Sequence, residues 1–128
     1  MNLVIIFFGG GTGAILRYAL LNSLSYDQNT NVILINFIGC FFMGALFAYF
    51  IDKGEFFTLF SIGVLGSFTT MSAFTHNTFE LILDSKYLNA LLYSITMVAI
   101  CLLANIICLL YTSPSPRDAT LSRMPSSA

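Results

Sequence analysis

The sequence predicts an all-α integral membrane protein with four transmembrane helices and an interruption in the third. Its 128 residues are 57% hydrophobic and 9% charged, with a mean hydropathy of +0.85, which leaves too little polar surface for a soluble domain. Four stretches exceed the roughly 20 apolar residues that a spanning helix requires. They cover 2–24, 28–51, 56–79 and 87–116, and only the first contains a charged side chain, Arg17.

Segment one places Gly9, Gly13 and Arg17 at intervals of four residues, so they share one face of the predicted helix. Small residues at this spacing let helices approach closely in membranes, and we interpret the glycines as packing positions. An ionised residue inside a span by default faces a bundle interior or a water-filled cavity. Because Arg17 lies near one end of the helix, two roles remain open: snorkelling to the headgroups, or a place in an anion-attracting vestibule.

In segment two, Asn36, Cys40 and Gly44 also recur at intervals of four and share a helix face. An amide beside small residues suits a close helix crossing, where it can hydrogen-bond to a neighbouring helix. The same NH₂ group could instead donate hydrogen bonds to an anion in a pore lined by this face. The spacing leaves both roles for Asn36 open.

Segment three is too long for one straight span and has a weak centre. From Glu55 to Asp84 a continuous helix would measure about 45 Å, against a hydrocarbon core of about 30 Å. The central run 66–74, GSFTTMSAF, is rich in glycine and hydroxyl residues. In lipid every backbone N–H and C=O needs an internal partner, so we expect an interruption here that lines a cavity or is buried against protein. Its freed carbonyl groups would be hard oxygen ligands suited to an alkali cation.

Beyond the predicted interruption, Met71 and Phe74 share a face at i and i+3. The edge of an aromatic ring is electropositive, so a phenylalanine at a pore can help to replace the water lost by a small anion. A phenylalanine buried in a helix interface would look identical in sequence. With thirteen phenylalanines in the chain, packing is the commoner role for any one of them.

Segment four carries a mildly polar stripe at successive i+4 positions on a very apolar helix. The stripe consists of Tyr93, Met97, Cys101 and Asn105. It faces either a pore or only a neighbouring helix, and spacing does not separate these two possibilities.

The three cysteines, Cys40, Cys101 and Cys108, all fall inside predicted spans. They form no C-x-x-C pair, which argues against both a zinc site and a disulfide framework. We interpret them as small, reduced core residues.

The loops carry almost no bias of Lys and Arg, which normally sets orientation in a membrane. The charged residues between segments are Asp27 in the first loop, Asp52, Lys53 and Glu55 in the second, and Asp84 and Lys86 in the third. Such weak asymmetry allows insertion in either direction, as in dual-topology proteins that form antiparallel dimers. Sparse loops can also give this picture by chance. The tail, residues 112–128, contains three prolines and few apolar residues, so we expect it to be disordered or to come from outside the native reading frame.

Three motifs together resemble the small four-helix fluoride channels of the CrcB (Fluc) family. They are GGGTGAILRY at 9–18, NFIGCF at 36–41 and GSFTTMSAF at 66–74. The resemblance covers residues 1–111 as one membrane domain, with the motifs in the right order and spacing. Any one motif would be weak evidence, whereas three together are specific.

The resemblance implies an antiparallel, dual-topology dimer with two fluoride pathways and a structural sodium ion at its centre. The sodium ligands would be the backbone carbonyls of Gly66 and Thr69 from both subunits. The positions assigned to the anion pathway are Asn36 as the pore amide, Thr70, Met71, Ser72 and Phe74 along the lining, and Tyr93 at the start of a polar track on segment four. Arg17 would lie toward the vestibule.

Four positions depart from the family pattern. Met71 stands where a first pore phenylalanine is usual, which replaces a ring edge with a polarizable thioether. Asn77 stands at a usual glutamate, and Met97 and Cys101 replace hydroxyl residues on segment four. The chain therefore forms either a homodimer that tolerates these changes or a heterodimer with a related CrcB chain that supplies the missing groups.

The function implied by the resemblance is passive, fluoride-selective export across the cell membrane by a multi-pass channel, which limits fluoride toxicity. We expect no enzymatic activity and no nucleic-acid partner. One alternative is a small multidrug-type proton-coupled transporter. A resemblance to that class would imply a glutamate in helix one, where this chain has Arg17. Another is a non-conducting membrane subunit, which would gain nothing from an interrupted helix in lipid.

Overall fold

The computed structural model describes residues 2–50 and 54–112, and every regular element within them is a helix. The elements are α1 (Asn2–Ser23), α2 (Gln28–Tyr49), α3 (Glu55–Thr58), a π-helical stretch (Leu59–Leu65), α4 (Gly66–Phe68), α5 (Met71–Leu83) and α6 (Tyr87–Thr112). Apart from Thr112, the polar tail discussed above lies outside the described residues.

Four helical segments in the described part of the chain are long and apolar enough to cross a membrane. They cover Leu3–Ser23, Gln28–Tyr49, Glu55–Leu83 and Tyr87–Tyr111. The predicted all-α membrane fold with four spans is therefore confirmed. Large apolar side chains cover much of the outer surface, especially on α6, as expected where lipid or a second chain replaces water.

The start of α2 is fixed by Asp27. Its carboxylate accepts hydrogen bonds from the backbone N–H of Thr30 at 3.1 Å and from the Thr30 hydroxyl at 2.7 Å, which satisfies a donor that the helix leaves free. The same bonds hold the pKa of the exposed Asp27 carboxyl below its usual range. The cap thus separates α1 from α2 with a loop of only four residues, 24–27.

Two close pairings hold the bundle together. Helix α2 packs along α6, and α1 packs against the π-helical stretch and α4. The backbones of Gly9 and Gly63 are so close that a Cβ on Gly63 would lie 3.0 Å from the Cα of Gly9. A Cβ on Gly13 would overlap the carbonyl oxygen of Val64. The packing role predicted for Gly9 and Gly13 is confirmed.

Gly13→Leu should separate α1 from the third segment and lower stability by about 1–3 kcal/mol, because the clashing atom is backbone and cannot rotate away. The effect is measured as the change in unfolding temperature of the purified protein in detergent, with the circular-dichroism signal of its helices as the probe. Gly11→Leu is the matched control, since a Cβ at Gly11 meets no atom within 4 Å. Equal losses in both variants would contradict the packing assignment.

Candidate functional site

Two extended residues separate α4 from α5 in the middle of the third segment. Thr69 has φ −70° and ψ 152°, and Thr70 has φ −139° and ψ 106°. In a continuous helix the Thr70 N–H would bond to the carbonyl of Gly66, four residues earlier. It donates instead to Oδ1 of Asn36 at 2.8 Å. The Gly66 carbonyl is thereby released from its helical donor.

Asn36 completes this exchange with its other polar atom. Its Nδ2 donates to the carbonyl of Thr70 at 3.2 Å, so the side-chain amide pairs with both backbone groups of Thr70. Asn36 is 7% exposed and Thr70 is 4% exposed. A buried, unpaired peptide group would be costly in a membrane. Asn36 avoids this cost, because its side chain reaches from α2 and pairs with the Thr70 peptide groups. The two roles left open for Asn36 are therefore not exclusive, because it joins two helices and also lies at the interruption.

Gly39 allows α2 to approach the interruption closely. A Cβ at Gly39 would overlap the side-chain methyl group of Thr69. Because Gly39 lies three residues after Asn36, both point toward the interruption from one face of α2. Sequence reasoning did not single out Gly39, although it falls inside the motif 36–41.

The start of α5 is capped by Thr70 itself. Its hydroxyl accepts a hydrogen bond from the N–H of Ala73 at 3.1 Å, as N-cap residues do. The hydroxyl oxygens of Thr70 and Ser72 lie 3.2 Å apart. The hydroxyl groups around the interruption thus organise a new helix N-terminus, where the backbone N–H groups and the helix dipole favour negative charge.

A cavity of about 340 Å³ opens beside the interruption and gathers most of the predicted pathway residues. Its lining consists of Asn36, Cys40, Thr69, Thr70, Met71, Phe74, Met97, Val98, Cys101 and Leu102. Tyr93 does not line this cavity. Its ring packs behind that of Phe74, with ring centroids 5.4 Å apart and an interplanar angle of 38°. Phe74, Tyr93 and Met97 belong to one buried cluster with Val32, so Phe74 has both of the roles considered for it, packing in the core and lining a cavity.

Two further predicted residues, Arg17 and Ser72, line a second cavity of about 470 Å³ on the α1 side of the interruption. Its other lining residues are Ala14, Tyr18, Leu21, Thr70, Ala73 and His76. Nη1 of Arg17 lies 3.4 Å from the carbonyl oxygen of Thr69, so the guanidinium points at the interruption. Arg17 thus lines a cavity beside the interruption, its vestibule role stays a prediction, and Thr70 is common to both cavities.

Gly66 and Thr69 are suited to hold an alkali cation by their donor chemistry. The Gly66 carbonyl is free of its helical donor, Gly66 is exposed on the surface of the chain and Thr69 is half-buried, and carbonyl oxygens are hard ligands. Two carbonyls are too few for a complete coordination shell, so a second chain would have to add its own. The Arg17 guanidinium is positively charged and lies at the Thr69 carbonyl oxygen. The guanidinium and the cation would have to share that oxygen.

Asn77 joins three helices beneath the Phe74 and Tyr93 rings. It is 2% exposed, its Oδ1 accepts from Nε2 of Gln28 at 3.0 Å, and its Nδ2 lies 3.5 Å from the Tyr93 hydroxyl. The sequence identified Asn77 only as a departure from a family pattern. Its partners are 49 and 16 residues away, so no local spacing could have revealed the network.

Asn77→Leu should destabilise the protein by about 1–3 kcal/mol, because the buried Tyr93 hydroxyl loses its partner and the bond from Gln28 on α2 is lost. The unfolding temperature in detergent is the measurement. Asn89→Leu provides the matched control, since Asn89 is exposed on α6 and leucine suits such a surface. Unchanged stability of Asn77→Leu would show that the network contributes nothing.

Known proteins similar to this chain form a consistent group. The model of a family described as CrcB-like protein, Camphor Resistance (CrcB), matches residues 4–109, a range that includes both cavities. A fluoride-specific ion channel FluC from Campylobacter jejuni is 35% identical over 110 residues, which cover 80% of this chain and 90% of the relative. FluC proteins from Oceanobacillus iheyensis and Coxiella burnetii are 40% and 32% identical, over 72% and 80% of this chain and 76% and 90% of their own lengths.

Proposed function

This chain belongs to the CrcB family, and from that membership we propose that it is a fluoride-selective ion channel of the cell membrane that exports fluoride passively. The observation that carries the proposal is that relatives named fluoride-specific ion channels align over 80% of the chain. The range that the family model matches, 4–109, includes Asn36, the interruption at Thr69 and Thr70, and Phe74. No bond is made or broken in this activity, and the chain is not an enzyme.

Asn36 supplies the donor that fluoride needs along the pathway. One N–H of its amide is committed to the Thr70 carbonyl. The amide nitrogen also lies 3.5 Å from Sδ of Met97, and a thioether is a weak acceptor. Fluoride that enters the cavity replaces this sulfur as the acceptor. Breaking the weak bond to sulfur costs little, and the new hydrogen bond offsets part of the hydration free energy that the ion loses.

Phe74 and the second cavity supply the rest of the pathway. The ring of Phe74 lines the Asn36 cavity, where its electropositive edge favours an anion. On the α1 side of the interruption, Arg17 attracts anions toward Thr70 and Ser72. Met71 lines the Asn36 cavity where a second phenylalanine ring would otherwise stand. Its polarizable thioether has no electropositive ring edge, so this part of the lining favours anions less strongly. Tyr93 acts through its contact with Phe74.

The working assembly is an antiparallel, dual-topology dimer with a structural sodium ion. Met71 is 70% exposed on the single chain, and Gly66 and Ser72 are exposed as well, which suits positions covered by a second chain. In this dimer the Gly66 and Thr69 carbonyls of both chains hold the sodium ion. The weak charge bias of the loops supports insertion in both orientations. The partner is a second copy or a related CrcB chain.

Efflux from proteoliposomes tests the function. Liposomes loaded with potassium fluoride should release fluoride when valinomycin lets potassium follow, and liposomes loaded with potassium chloride should retain chloride. A proton-coupled multidrug transporter would release neither fluoride nor chloride, and α1 has no acidic residue to carry a proton. Absence of fluoride release from well-folded protein, both alone and with a related chain, would contradict the channel assignment.

A further inference from the structure

The Asn36 cavity has a second chemical character that fluoride transport does not use, because several of its lining residues carry sulfur. Cys40 on α2 and Cys101 on α6 both line it and are both free thiols, each half-buried. Sγ of Cys101 lies 4.0 Å from Sδ of Met97, and Met71 adds a further thioether to the lining. The cavity thus brings together two thiols and two thioethers, of which Cys40, Cys101 and the Met97 thioether come from α2 and α6.

We propose that Cys40, Cys101 and Met97 form a binding site for a soft monovalent metal ion of the Ag⁺ or Cu⁺ class. Thiolate and thioether sulfur are the ligands that such ions prefer, whereas magnesium and calcium prefer oxygen. The residues that line the cavity include no histidine and no carboxylate, so a four-ligand zinc site cannot be completed from them. Two or three sulfur ligands match the low coordination numbers of these monovalent ions.

The charge balance also selects a monovalent ion. On binding, one thiol loses its proton, a metal–sulfur bond replaces the S–H bond, and the proton leaves to water; no oxidation or reduction takes place. The thiolate and the ion then form a neutral unit. A cavity lined mostly by apolar atoms penalises a net charge strongly and a neutral complex far less. The second thiol and the thioether complete the coordination as neutral ligands.

Binding has a consequence for the anion pathway, and this consequence rests on the proposed function, whereas binding itself does not. Sδ of Met97 is the weak partner of the Asn36 amide, and a metal that takes up this sulfur sits directly beside that amide. The complex then occupies the space that fluoride needs to enter. We expect the ion to block fluoride efflux at one metal per chain.

The test uses the purified full chain in detergent, silver nitrate as the probe, chloride-free buffer and an excess of a monothiol competitor such as glutathione. The competitor removes silver from any single thiol but not from a preorganised pair. Retained silver, measured by elemental mass spectrometry, should be about one ion per chain and should fall at least tenfold in Cys40→Ser/Cys101→Ser. Cys108→Ala, which removes the cysteine outside this cavity lining, should retain silver as the unmodified chain does.

A second measurement uses only the unmodified chain, so misfolding of a variant cannot affect its result. Bound silver should protect Cys40 and Cys101 of the unmodified chain from maleimide, as read by peptide mass spectrometry. Silver retention unchanged in the double variant, or protection of Cys108 alone, would overturn the site. Silver binding with undiminished fluoride efflux would support the site and overturn the block. Absence of fluoride efflux before silver is added would count against the proposed function and leave the binding result standing.

Discussion

Asn36→Ala should reduce fluoride efflux at least tenfold, the largest loss that we expect from a single substitution. It removes the acceptor of the Thr70 N–H, the donor to the Thr70 carbonyl and the amide offered to fluoride. Leaving one buried backbone group unpaired costs about 1–3 kcal/mol, and about 1.4 kcal/mol is already tenfold in a rate. Initial efflux rates from proteoliposomes with equal protein content measure the loss.

Asn31→Ala provides the matched control for this experiment. Asn31 lies on the same helix and is also 7% exposed, but its Nδ2 donates to the carbonyl of Tyr26 in the preceding loop, away from the interruption. Its efflux should stay within about a factor of two of the unmodified chain, because Asn31 lines neither cavity and makes no bond to the interruption. Similar losses in both variants would mean that the Asn36 effect is general destabilisation.

Phe74→Ile should lower fluoride efflux about tenfold while leaving assembly intact. Isoleucine keeps most of the apolar volume in the cluster with Tyr93 and Met97, and such swaps usually cost less than about 1.5 kcal/mol. It lacks an aromatic ring with an electropositive edge, so the proposed interaction with the anion is lost. Efflux and the size of the purified assembly are measured together.

Phe79→Ile tests whether the loss belongs to this ring. Phe79 lies on the same helix, α5, and is 58% exposed, outside the lining of both cavities. Its substitution should leave efflux and assembly unchanged. Full efflux from Phe74→Ile would remove this ring from the pathway and leave Asn36 as the main contact for fluoride.

The sequence was sufficient for the features that depend on local pattern. Hydropathy over about 20 residues located the four spans, and the i+4 spacing of Gly9 and Gly13 predicted a close helix approach that the structure shows against the third segment. These features follow from the length of a helix and from the positions that share one face, both of which are local.

The features that depend on which helices are neighbours were beyond the sequence. The bond from Thr70 to Asn36 joins residues 34 positions apart, and periodicity could only leave the role of Asn36 open between packing and transport. Arg17 likewise needed the position of Thr69 to be placed at a cavity beside the interruption. The sequence pattern predicts core positions for all three cysteines, which fits Cys108, whereas Cys40 and Cys101 are half-buried and line one cavity.

The geometry of the third segment also exceeds what composition could indicate. The glycine and hydroxyl residues predicted where a helix would be weak, but not that the preceding stretch, Leu59–Leu65, is π-helical. Such stretches are rare and often lie near functional sites. Here the stretch carries Gly63, which lies against Gly9 on α1, a tertiary contact that composition does not reveal.

The most direct test of fluoride selectivity is the reversal potential of the current across a planar bilayer, with equal concentrations of potassium fluoride on one side and potassium chloride on the other. A fluoride-selective channel shifts this potential toward the fluoride equilibrium value by about 59 mV for each tenfold preference for fluoride over chloride. A potential near zero with a clear protein-dependent current would mean that fluoride and chloride pass alike, and it would contradict the account.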